Sequence, residues 1–360
     1  QLFDQHGDRT HRHKARLRFV FDRLGLAECR RLFAERLAAV RAVGVPTGSD
    51  TLPIEPDAAA RPPTPIDRNG VRVIPQRQPG RFTVPLHLPL GFLPGEDLAR
   101  LGLLAAQFSG ESGLRTTQSQ NLLIRSVSES DLPALIDGLR TLSTDLLTPT
   151  PLNRFVACAG ASTCRLGIGL ARHAARACAD ALAEAGLAPA TLSALTIHLN
   201  GCSNACGQQP IAAIGLYGAA QRAGTRLAPS YAVTLGGRCG TEGARLGRPA
   251  GKVPARALPA FLRELALDFQ AGRRPDEPFV HYFDRRGPAH FEALVARHAP
   301  LPDYQTRPDY YRDWGVETDF SLAGRGAGEC GAGVFEVIQQ DLAAAQAATA
   351  PFDMLLPTVR

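Results

Sequence analysis

Lysine is nearly missing from these 360 residues: Lys14 and Lys252 are the only two among 40 basic side chains. The positive charge is therefore arginine spread along the chain, with no lysine-rich run. Aromatic residues are also few, at 6%, and no arginine–aromatic interleaving marks a surface for nucleic acid, so none is expected as a partner. No run of ~18 uncharged apolar residues occurs, so no membrane span is expected. No apolar signal core opens the chain either; Gln1 is followed almost at once by the charged stretch GDRTHRHKARLR. These absences point to a cytoplasmic protein.

What is present is the composition of a globular chain, 44% hydrophobic and 21% charged, long enough for two or three domains. A net charge of +6 and a pI near 9.0 favour an anionic cofactor, an anionic substrate or an acidic protein partner. Eight cysteines would suit a disulfide scaffold only in a small exported domain, which this is not.

Five stretches are expected. Residues 1–44 carry apolar positions at helical spacing (Leu17, Val20, Phe21, Leu24, Leu32, Leu37) broken by Gly25. Residues 45–80 lose periodicity among Pro, Asp and Ala and read as a linker or arm. Residues 81–150 run strand (81–92), helix (94–110), two short strands (114–127) and helix (128–142), with 153–157 as a closing strand. That order matches a ferredoxin-like βαββαβ half-repeat. Residues 151–300 form an α/β domain, with a helix at 166–186, strands at 194–199, 211–218 and 231–237, and helices at 254–271 and 287–298. Residues 301–360 form a tail, helical over 331–350. The class is α+β.

Four cysteines form two tight pairs. CAGASTC spaces Cys158 and Cys164 as C-x5-C, and CSNAC spaces Cys202 and Cys206 as C-x3-C, with 37 residues between the pairs. Each pair follows a strand in a loop of small residues, which lets backbone amides approach a bulky inorganic cluster and hydrogen-bond its sulfurs. Zinc knuckles use gaps of about two to four residues, so the five-residue gap argues against zinc. Spacing alone leaves open a [4Fe-4S] cluster with or without a haem. Cys29, Cys178, Cys239 and Cys330 are scattered, and the default reading is a buried small side chain.

CAGASTC and NGCSNACG at this separation resemble the cluster signature of the sirohaem sulfite and nitrite reductases. GDRTHRHKARLRFVFDRLG, GLRTTQSQNLLIRSV and YAVTLGG extend the resemblance, in the family's order, over most of residues 5–300. It implies that Cys158, Cys164, Cys202 and Cys206 hold a [4Fe-4S] cluster, and that Cys206 shares its sulfur with the iron of sirohaem. It further implies that Arg9, Arg12, Gln120 and Asn204 contact the sirohaem, whose many carboxylates call for cationic and donor groups. Asn200 and Gly167 fall at matching positions with altered residue types, and Ser203 stands where proline is common. The bland readings are a solvated helix start for the arginines, a turn for Gln120 and a loop amide for Asn204.

The same resemblance implies six-electron reduction of sulfite to sulfide or nitrite to ammonia, fed by ferredoxin or a similar acidic donor. It also implies that the chain begins where the second of two related halves begins. The catalytic arginines and lysines that bind the substrate anion are then expected mainly in the other half, and this stretch alone is expected to be a poor reductase. Two other readings remain: a precorrin-modifying cluster enzyme of cobalamin synthesis, and a truncated iron–sulfur module without catalysis. Glycine clusters such as GRGAGECGAG lack the strand and acidic residue of a dinucleotide site.

Overall fold

Gly25, at φ 78°, separates two helices where an L side chain would be strained. They are α2 (Leu17–Leu24) and α3 (Leu26–Val43), preceded by the short α1 (Leu2–His6). The computed structural model describes residues 2–8, 10, 16–43, 64–142, 146–240 and 243–323. Arg9, Arg12, Cys330 and the expected tail helix at 331–350 lie outside these residues. The three helices belong to one unit of the chain, and residues 62–325 form the other.

The second unit opens with a hairpin inside the span expected as linker. Strands β1 (Ile66–Arg68) and β2 (Val71–Pro75) pair antiparallel around Asn69 and Gly70, at φ 53° and 74°. An Asn-Gly pair with both residues at positive φ is the two-residue hairpin turn that matches strand twist. The signal was in the sequence, hidden by the surrounding prolines and alanines.

Next come β3 (Arg81–Leu86), α4 (Gly95–Phe108), β4 (Leu114–Thr116), β5 (Leu122–Ser128) and α5 (Leu132–Leu142). The sheet order is β1-β2-β3-β5-β4, antiparallel throughout. A register shift between Phe82 and Val84 coincides with Ser126 at φ 56° in the partner strand, the mark of a β-bulge. Val84, Leu86 and Ile124 from the strands pack with Leu101, Ala105, Leu135, Ile136 and Leu139 from the helices, all fully buried.

Phe155–Ala157, expected to close this half-repeat, does not join its sheet. This strand, β6, pairs in parallel with β7 (Ile197–Asn200). Period-two alternation marks a strand but not its partner, and three residues carry no register information. Between them run α6 (Ala171–Ala183) and the short α7 (Pro189–Ser193). The helix expected from 166 starts only at Ala171, because Gly167 and Gly169 pack in the preceding loop. Ala171, Ala174, Ala175, Cys178 and Ala179 give α6 a flat buried face that lets it lie close on the sheet.

β8 (Ile214–Ala223), β9 (Arg226–Leu235) and β12 (Arg248–Pro254) complete a sheet of order β12-β9-β8-β7-β6, while β10 (Arg238–Gly240) and β11 (Gly243–Arg245) form a separate hairpin. α8 (Leu258–Gly272) buries Leu258, Phe261, Leu262, Leu265, Ala266 and Phe269, a stripe at helical spacing. α9 (Phe279–Arg286), which periodicity did not single out, and α10 (Pro288–His298) add Phe279, Tyr282 and Phe291 to the same core. No described helix is long and apolar enough to cross a membrane.

Candidate metal centre and cofactor site

Parallel strands leave a crevice at their carboxyl ends, and both cysteine loops sit there. Cys158 is the first residue after β6, and its N–H donates to the Leu199 carbonyl at 3.3 Å, extending the ladder by one bond. Cys202 lies two residues beyond β7. The loops are joined through Gly201. Its carbonyl accepts the N–H groups of Ile168 (2.7 Å) and Gly169 (2.9 Å), and its own N–H donates to Cys158 Sγ at 3.1 Å. Ala161 N–H donates to the Gly169 carbonyl at 2.9 Å, and Cys164 N–H to the Gly160 carbonyl at 3.0 Å.

Such backbone-on-backbone packing leaves no room for side chains. A Cβ on Gly201 would stand 2.5 Å from Gly160 Cα, and one on Gly218 would stand 2.2 Å from the Gly201 carbonyl oxygen. Gly167 is buried in the same stack, where an added Cβ would meet Ala161 N at 2.5 Å.

The second loop is braced from the strand below. Asn200 is buried, its Oδ1 accepts the Gly207 N–H at 2.8 Å, and its Nδ2 donates to Gln209 Oε1. His198 Nδ1 lies 2.7 Å from the Gly207 carbonyl, which can only accept, so Nδ1 carries the proton. Burial lowers the His198 pKa, keeping the ring neutral. Ala205 and Gln208 take φ near 60°, a left-handed geometry that the braces impose on the loop around Cys206. Asn204, between the two cysteines, is exposed.

Two further supports were not legible from local sequence. Gln120 Nε2 donates to the Ala157 carbonyl at 2.8 Å, and Gln120 Oε1 accepts the Ala157 N–H at 3.0 Å. Its amide therefore faces the strand end before Cys158. Asp313, 143 residues downstream, accepts the Leu170 N–H on Oδ2 at 2.7 Å and the Trp314 N–H on Oδ1 at 2.8 Å. Burial raises the Asp313 pKa. Beneath Gly169 lies the hydroxyl of Tyr231, buried with no hydrogen-bond partner among the described residues.

Cys158 and Cys202 are half-buried, while Cys164 and Cys206 are exposed. No disulfide forms among the described cysteines. A single tetrahedral zinc would need its sulfurs within about 3.8 Å of one another, given a Zn–S distance of about 2.3 Å. Among the described residues no three His, Cys, Asp or Glu side chains are grouped to hold one ion. A cubane takes one thiolate at each of its four iron corners, the number the two pairs offer. The sulfur-directed N–H of Gly201 and the side-chain-free stack around it fit an iron–sulfur cluster. Of the scattered cysteines, Cys29 and Cys178 are buried as expected, whereas Cys239 is exposed, on the short β10 hairpin strand that packs little against the core.

The expected haem-contacting residues divide by their surroundings. Gln120 and Asn200 direct their polar groups at the chain itself, and Gly167 serves loop packing. Asn204 and Cys206 face solvent at the crevice.

Residues 74–142 match the nitrite/sulfite reductase ferredoxin-like half domain. The ferredoxin–nitrite reductase of Synechococcus elongatus is 32% identical over 276 residues, covering 74% of this chain and 49% of that protein. The sulfite reductase [NADPH] hemoprotein beta-component of Acidithiobacillus ferrooxidans is 31% identical over 289 residues, covering 78% of this chain and 46% of that one. The structure of Mycobacterium tuberculosis NirA superposes with a TM-score of 0.55 at 24% identity, over 79% of this chain and 50% of that chain, and so shares its fold. This chain belongs to the sirohaem nitrite/sulfite reductase family. It spans about half the length of the curated relatives it matches.

Proposed function

We propose that this chain supplies the iron–sulfur half of a reductase that carries nitrite to ammonia, or sulfite to sulfide, with electrons from ferredoxin. The observation that carries the reading is the joining of the two cysteine loops through Gly201 at the carboxyl ends of β6 and β7. Cys158, Cys164, Cys202 and Cys206 would hold a [4Fe-4S] cluster, and the Cys206 sulfur would also face the sirohaem iron. Bound together, the two groups supply one-electron steps and an iron site for the anion.

The chain's own residues set the conditions for that chemistry. The Gly201 N–H stabilises negative charge on the Cys158 sulfur. Asn200 and His198 fix the loop that presents Cys206. Exposed Asn204 would donate to a carboxylate of the tetrapyrrole, and Arg9 and Arg12 would add positive charge, as the family resemblance implies. Gln120, Asn200 and Gly167 shape the loops from behind. Nitrite is the substrate to test first, because ferredoxin–nitrite reductases recur among the relatives. An acidic ferredoxin suits a chain of net charge +6.

The test is reduced-viologen-driven turnover by this chain in its full native reading frame, loaded with sirohaem and iron. Consumption of nitrite or sulfite, abolished by Cys206→Ser, is the expected result. A loaded protein that consumes neither anion would sink the reading.

A further inference from the structure

β6 is the edge strand of its sheet. In a parallel pair, alternate residues turn their N–H and C=O groups toward the neighbour. Cys158 turns its N–H inward to Leu199, so Ala157 turns both its groups outward, away from β7. Ala157 is fully buried, and among the described residues no further strand lies there to pair with it. The Gln120 amide fills that place with two antiparallel bonds, as a neighbouring peptide would.

Gln120 is itself held by its turn. Its N–H donates to the Thr117 carbonyl at 3.2 Å, and its backbone sits at φ 60°. Gly91 packs against it closely enough that an added Cβ would stand 3.0 Å from Gln120 Cβ. The residue before Gly91, Leu90, inserts into the core of the cysteine-bearing domain. The ferredoxin-like half domain thus grips the other domain at the residue before Cys158.

We propose that Gln120 is a positioning residue for Cys158: by clamping both groups of Ala157 it fixes the Cys158 sulfur against the Gly201 N–H. The inference deepens the cluster reading and rests on it for its functional meaning. Without the clamp, two buried polar groups lose their partners and the three-residue strand is anchored on one side only. Cys158 then moves relative to Gly201, while Cys164, already exposed six residues further on, is little affected. The clamp thus confers a local order at Cys158 that separates it from a general contribution to folding.

The test compares alkylation rates of Cys158 and Cys164 in the cluster-free full chain, read peptide by peptide by mass spectrometry. In Gln120→Leu the Cys158 rate should rise about tenfold over the native chain, with Cys164 changing less than about twofold. Ser119→Ala, in the same turn, should leave both rates unchanged. With the cluster loaded, the same Gln120→Leu chain should lose it about tenfold faster to an iron chelator. Gln120→Glu supplies a conservative rescue. A protonated glutamate offers one donor and one acceptor, as the amide does, whereas the carboxylate only accepts. Its Cys158-to-Cys164 rate ratio should approach the native ratio at mildly acidic pH and depart from it at alkaline pH. If Gln120→Leu does not fold, that pH comparison decides the matter. A Cys158 rate that stays native, or Cys158 and Cys164 rates that rise together, would overturn the inference. A native chain that never takes up a cluster would fail the proposed function, while the cluster-free comparison would still judge the clamp.

Discussion

The N–H of Gly201 points at the sulfur of Cys158 from 3.1 Å, and this bond joins two loops that are 43 residues apart in the chain. An N–H aimed at a metal-bound cysteine sulfur draws charge from it and lowers its donor strength toward iron. Glycine suits this position, because an added Cβ would stand only 2.5 Å from Gly160 Cα.

Gly201→Ala should therefore push the two loops apart. Overpacking of this kind costs about 1–3 kcal/mol. Chemical denaturation should show that loss, and the variant should retain iron less well than Gly102→Ala, at a helical glycine with no neighbouring atoms within 4 Å of an added Cβ. Equal iron retention in both would contradict the role given to Gly201.

Asn200→Leu tests the brace under the second loop. It leaves the Gly207 N–H and Gln209 Oε1 without their Asn200 partners in a buried place. Each unpaired group costs about 1–3 kcal/mol. Urea unfolding should show a loss in that range, and Cys206 should alkylate faster than in the native chain. A variant of native stability would show that the brace is dispensable.

Thiol reactivity separates the remaining cysteines. Cys29 and Cys178 are buried, and burial raises the Cys178 pKa far above that of a free thiol. Native chain exposed briefly to iodoacetamide should be modified at Cys239 and not at Cys29 or Cys178. Labelling of Cys178 as fast as Cys239 would contradict the packing of α6.

A pH dependence follows from Glu277, which pairs with Arg285 in two hydrogen bonds of 2.8 and 2.6 Å. That pairing pulls the Glu277 carboxyl down to about 2. A depressed folded value means that the stabilisation is complete above the unfolded value, near 4.5, and is lost as pH falls from there toward 2. The melting temperature of Glu277→Gln should lie below that of the native chain at pH 7, with the gap closing below pH 4. A gap independent of pH would remove the ion pair as its cause.

The two cysteine pairs were legible in the sequence from residue type and spacing, and both lie in loops at the carboxyl ends of β6 and β7. The helices were legible for the same kind of reason: α8 repeats its apolar positions at helical spacing over four turns. Strand partnership was not. Phe155–Ala157 alternates like any strand, and only the carboxyl-end geometry shared with β7 shows which sheet it joins. Gln120 reads from sequence as a turn residue or a cofactor contact, since its partner Ala157 is 37 residues away. Asp313 gave no local signal at all, because the Leu170 amide it holds is 143 residues distant.

If Cys158, Cys164, Cys202 and Cys206 together hold one cubane cluster, as proposed, its stoichiometry can be measured. The measurement is iron and inorganic sulfide per chain after anaerobic reconstitution. The native chain and Cys178→Ser should each bind about four irons and about four sulfides, and Cys158→Ser or Cys202→Ser should bind far less. Zinc held at one ion per chain with no iron uptake, or full cluster content in Cys158→Ser, would contradict the proposal.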